Sequence, residues 1–76
     1  MTPETKELVK QWDDRASLAR EDARTSVRKA TGLLFQGRVD LATHSLGVAH
    51  GLSILALEAE IKAVRAMLEA MLEATS

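Results

Sequence analysis

The chain contains no cysteine, so neither a disulfide framework nor a thiolate metal site is available to hold it together. Its single proline, Pro3, stands almost at the start, and the strongest helix breaker is absent from everything downstream. Charge of one sign is not in excess either: ten Lys and Arg face eleven Asp and Glu, a balance that selects neither nucleic acid nor membrane on bulk grounds. The longest stretch free of Asp, Glu, Lys and Arg, residues 41–57, is interrupted by His, Gly, Ser and Thr. It falls short of the ~20 apolar residues that span a bilayer, so no membrane partner is expected. The opening residues lack the apolar core of a secretory signal, and the expected location is cytoplasmic. Seventy-six residues make one small domain, in the size range where a monomeric core rarely supplies more than ~3–5 kcal/mol. With disulfides excluded, oligomerisation is the remaining staple.

What the chain does have is helical pattern. Thr2-Pro3-Glu4 reads as a helix start, with Thr as N-cap, Pro at the first helical position and an acid facing the positive end of the dipole. Val9, Trp12, Ala16, Ala19, Ala23, Ala30 and Leu33 then alternate by threes and fours, with Ser26 at the one missing position. That narrow, mostly Ala seam predicts a first helix over 3–36 that buries one face. Gly37 is the expected left-handed residue of a turn over 36–39, and Asp40 the expected cap of a second helix over 40–74. The fold class is all-α: a long antiparallel two-helix hairpin, one domain over 1–76. Folding about Gly37–Arg38 pairs positions whose numbers sum to about 75 and brings Lys6 toward Glu69, Asp13 toward Lys62 and Arg15 toward Glu60.

The second helix has more apolar surface than one partner can cover. Glu58, Lys62, Arg65, Glu69 and Glu73 gather in one stripe. The remainder sorts by size, with Ala56, Ala59, Ala63, Ala66, Ala70 and Ala74 on one side and Leu57, Ile61, Val64, Met67, Leu68, Met71 and Leu72 on another. Ala permits close approach, so the Ala side is assigned to helix one. The large side is left for another chain. His50, Ile54, Leu57, Ile61, Val64, Leu68 and Met71 are therefore the expected oligomer interface, joining two hairpins in a homodimeric four-helix bundle.

Residues able to carry chemistry are few. His44 and His50 are six apart and share no helix face, and Asp40 with His44 has no second carboxylate cluster, so no metal site is expected. His50 is expected as a hydrogen-bonded interface histidine. Arg20, Arg24 and Arg28 recur every four residues, with Arg15 and Lys29 nearby. The ordinary reading of such a stripe is a solvated face. Its functional readings are a phosphate backbone or an acidic partner, although no aromatic interleaves with the arginines and no recognition-helix motif appears. Gly47-x-x-x-Gly51 is read as a packing feature, and Trp12 and Phe35 as packing anchors at opposite ends of helix one. No nucleophile with a paired base, no phosphate-cradling loop and no convergent carboxylate pair is found, so neither enzymatic activity nor a cofactor is expected.

Ala30 and Leu33, then Gly37, Ala42, Leu46 and Ala49, have the spacing of a single tetratricopeptide-like hairpin, while Ser26, Lys29 and Ile54 depart from that pattern and no 34-residue period recurs. The stretch from Ala30 to Leu57, with Leu34-x-x-Gly37, Asp40-Leu41-Ala42 and Ala49-His50-Gly51-Leu52, resembles small archaeal helical-hairpin proteins of unknown function. That resemblance implies an all-α fold and supplies no activity. The functional expectation is a self-associating interaction or scaffold module. The alternatives are a small adaptor or chaperone that covers an amphipathic helix of another protein, or a nucleic-acid-binding accessory protein using the Arg stripe.

Overall fold

Capping sets both ends of the first helix. In the computed structural model, which describes residues 2–75, α1 runs Pro3–Phe35 and α2 runs Val39–Thr75. The expected domain limits at Met1 and Ser76 lie outside the described residues. Thr2 is extended, and its hydroxyl oxygen accepts from the Thr5 N–H at 3.2 Å, with Pro3 opening the helix. At the other end the Arg38 N–H donates to the Leu33 carbonyl and the Gly37 N–H to the Leu34 carbonyl, each at 2.9 Å. This is a Schellman closure, and it requires a left-handed residue at Gly37, whose φ is +73°. Gly37→Ala should therefore destabilise the hairpin by about 1–2 kcal/mol, because a Cβ is strained in that backbone region. Urea unfolding measures the effect, and an unchanged midpoint would mean that the turn is not held this way.

Asp40 does not cap α2. The helix already begins at Val39, and the Ala42 N–H reaches the Arg38 carbonyl at 3.1 Å, which makes Arg38 the boundary residue. The Schellman turn consumes only Gln36–Arg38, so the second helix opens before the acid arrives. Asp40 lies instead in the first turn, where its charge opposes the positive dipole end.

The two helices meet along seams of small side chains. Buried on α1 are Ala16, Ala23 and Ala30; buried on α2 are Ala42, Ser45, Ala49, Ala56, Ala59 and Ala63. Trp12, Ala19, Ser26 and Leu33 are half-buried at the alternate positions of the α1 seam, and Val9 is half-buried one heptad before Ala16. No large side chain of the described residues is fully buried. The Ala side of α2 is thus longer than Ala56–Ala74, extending back through Ala49, Ser45 and Ala42, while Ala74 at the far end is exposed.

The cross-helix contacts fix the register. The Lys62 Nζ lies 4.6 Å from the Trp12 ring centroid, joining positions whose numbers sum to 74. The Arg15 guanidinium lies at the same distance from that ring. Two of the expected ion pairs are replaced here: Lys62 lies over Trp12 rather than facing Asp13, and Glu60 is taken by Arg20 rather than Arg15. Indole is the one large aromatic surface at the seam and holds both cationic stems. Arg20 stands about six residues along α1 from the position directly opposite Glu60, and its long side chain lies back toward that carboxylate. Because both partners of the Arg20–Glu60 pair are more than two-fifths exposed, Glu60→Gln should cost no more than about 1 kcal/mol in thermal melts at low salt.

The outcome is a rod of 59 × 16 × 10 Å with a radius of gyration of 17.3 Å. A compact domain of this length would have a radius of about 11 Å. The accessible surface, 5841 Å², likewise exceeds the roughly 4,600 Å² of a compact monomer of this mass.

Candidate interaction surface

Taking the α1-facing seam of α2 as one heptad pattern, a second pattern of the same 3-4 spacing runs along the same helix: Gly47, His50, Ile54, Leu57, Ile61, Val64, Leu68 and Met71. At 3.5 residues per turn its centre lies about 150° around the helix from the first seam. Burial follows from that angle. Because α1 occupies one side, the opposite side receives no cover: Leu57 and Ile61 are each 59% exposed, and Ile54, Val64, Leu68 and Met71 are exposed with them. Leu57, Ile61, Val64 and Leu68 line a shallow groove of about 440 Å³, bordered by Glu60 and Arg65. The expected interface residues therefore share one face. His50 lies on it too, exposed like its neighbours.

This division of labour has an energetic meaning. Burying an alanine removes one methyl from water, worth about 0.8 kcal/mol, whereas burying a Val, Leu or Ile is worth about 1.5–3 kcal/mol. The hairpin places its small residues inside and leaves its large ones outside.

Gly47 and Gly51 do not bring helices together in the hairpin. A Cβ built on either would meet nothing within 4 Å, because the seam facing α1 passes through Ala42, Ser45 and Ala49 while both glycines point away from it. Each glycine carries only its backbone entropy cost, so Gly51→Ala should stabilise the isolated hairpin by about 0.5–1 kcal/mol. A loss of stability in chemical denaturation would instead reveal a close neighbour on that side.

Phe35 is 89% exposed and is not a packing anchor, since the helix ends at this residue and its side chain leaves the seam with Leu34 and Val39 at the tip. Trp12, by contrast, is half-buried beneath Arg15 and Lys62. Sequence reasoning overlooked one apolar row. Leu41, Val48 and Leu55 recur every seven residues beside the Ala seam and are exposed, a recurrence that was available as the signal.

Arg20 is engaged with Glu60, and together with Arg24 and Arg28 it borders a groove of about 400 Å³ with Ala23, Val27 and Ser53. On their outer side Arg20, Arg24 and Arg28 line a polar surface with Ser17, Glu21 and Thr25. Among the described residues, no group of three or more His, Cys, Asp or Glu is placed to hold a metal ion, and no helix is long and apolar enough to cross a membrane. No family model matches the chain, and neither a curated protein nor a solved structure matches it.

Proposed function

We propose that this chain is a non-enzymatic, cytoplasmic interaction or scaffold module whose hairpins pair through the large-residue seam of α2, giving a homodimer of four helices. Because that seam lies nearly opposite α1, the four helices form a flat layer with the two α2 helices at its centre rather than a square bundle around one shared core. The observation that carries this reading is the uninterrupted 3-4 row of Ile54, Leu57, Ile61, Val64, Leu68 and Met71, exposed on a hairpin whose own core is alanine and one serine. Surface area supports it. The hairpin exposes roughly 1,200 Å² more than a compact monomer of its mass, and a standard protein interface removes about 800 Å² from each partner.

Sedimentation equilibrium of the protein expressed alone, over a wide concentration range, tests the reading. A dimer is expected, with a melting temperature that rises with protein concentration because association stabilises only the folded chain. The same seam also supports a second reading, in which the occupant is an amphipathic helix of a different protein. The protein alone would then be monomeric, partly molten or prone to aggregate, and would become ordered on adding that helix. A nucleic-acid role for Arg20, Arg24 and Arg28 predicts salt-dependent binding that falls when the three are changed to Glu.

A further inference from the structure

We infer that the two copies pair antiparallel in one register, with Ile61 against the partner's Val64, Leu57 against the partner's Leu68, and Ile54 against the partner's Met71. This rests on the self-association proposed above and adds its orientation and its register. The charges that border the seam select both. On one side stand Glu58 and Arg65, and on the other Glu60, followed by Met67. In an antiparallel pair each border meets its own counterpart across the interface, so the inferred register sets Glu58 against the partner's Arg65 and, by the two-fold symmetry, Arg65 against the partner's Glu58. Both cross-interface contacts are attractive. Glu60 faces the partner's Met67 and keeps its ion pair with Arg20 of its own hairpin.

The alternatives are worse on the same grounds. Sliding by one heptad toward the turn sets Glu58 against Glu58 and Glu60 against Glu60, and it lays Met71 on Gly47. Sliding the other way sets Arg65 against Arg65 and drops core layers. A parallel pair would set Glu60 against the partner's Arg65, drawing Glu60 from Arg20, and would stack His50 on His50 and Gly47 on Gly47 in its core. Among the antiparallel registers only the inferred one satisfies the border charges while filling every layer from Ile54 to Met71 with large apolar side chains, and unlike the parallel pair it leaves Glu60 with Arg20.

Charge exchange tests it. Glu58→Arg and Arg65→Glu, each alone, place like charges together twice per dimer and should weaken dimerisation by about tenfold at low salt. Mixed in equal amounts, the two variants should form heterodimers preferentially, since every border contact is then attractive; native mass spectrometry counts them. The double variant should recover the affinity of the original chain. A variant that merely weakens the helix would also be weak in the mixture, so recovery reports on the contact itself. If Arg65→Glu weakens the dimer but Glu58→Arg does not, and the mixture shows no preference, the pairing is parallel and this inference is wrong while self-association stands. If Glu58→Gln tightens the dimer, Glu58 faces itself and the register is shifted by a heptad. A chain monomeric at all concentrations would overturn the self-association reading as well.

Discussion

Val64→Glu is expected to abolish dimerisation and to leave the chain largely unfolded at 25 °C. In the isolated hairpin Val64 is 50% exposed, and a glutamate there would remain hydrated at little cost. Between two copies the same carboxylate would sit against apolar side chains, and symmetry places it there twice. Desolvating an unpaired charge costs several kcal/mol, so the loss should exceed roughly a thousandfold in affinity. That loss removes most of what stabilises a chain of this size. The size of the effect is therefore diagnostic: near zero for a face open to water, and several kcal/mol for a covered one. Leu57→Glu should act in the same way. Leu18→Glu supplies the control, because Leu18 is exposed on α1 outside its seam and the change should stay within about 0.5 kcal/mol. Sedimentation and circular dichroism on the three variants make the comparison. A Val64→Glu protein that remains dimeric and equally stable would remove the α2 seam from the interface.

Ala63→Leu should destabilise the hairpin itself by about 1–3 kcal/mol, whether or not it dimerises. Ala63 is 2% exposed, and it lies in a stretch of the seam where Ala56 and Ala59 are also buried. Helices in contact through alanine sit near the lower end of the usual range of about 8–10 Å between axes. An isobutyl group inserted there must push the axes apart over several layers, because neighbouring alanines are too small to fill the gap that opens. Ala16→Leu, at a fully buried position on the facing helix, should behave alike. Urea unfolding at low protein concentration separates this effect from association. A more stable Ala63→Leu protein would show that the seam has room and that the alanines do not set the helix spacing.

Much of this hairpin was legible because helical periodicity is a local property. Thr2-Pro3 and Gly37 act through their own backbone geometry and the groups a few residues away, so they could be placed without tertiary information. The seven-residue spacing of Ala16, Ala23 and Ala30 likewise identifies a face before it is known what covers it. Expectation and structure parted where a side chain had a choice of partners. Asp40 is a sound cap by residue type, yet the tight turn starts α2 one residue before it. Arg15, Arg20, Glu60 and Lys62 could be paired by charge in several ways, and side-chain reach together with the indole of Trp12 settled which pairings form. Phe35 is large and apolar, but its position at the last residue of α1 takes it out of the seam.

The sequence by itself determined that the chain is two long helices joined at Gly37 and that α2 carries two apolar faces of different size, since both follow from residue type and spacing alone. The tertiary structure bears out the assignment of the Ala face to α1, and it decided how far the buried seam runs, from Ala42 to Ala63 with Ala74 left exposed. Only an interhelical contact distinguishes a buried apolar row from an exposed one, and here the contact takes the alanines and leaves Leu57, Ile61, Val64 and Leu68 to the solvent.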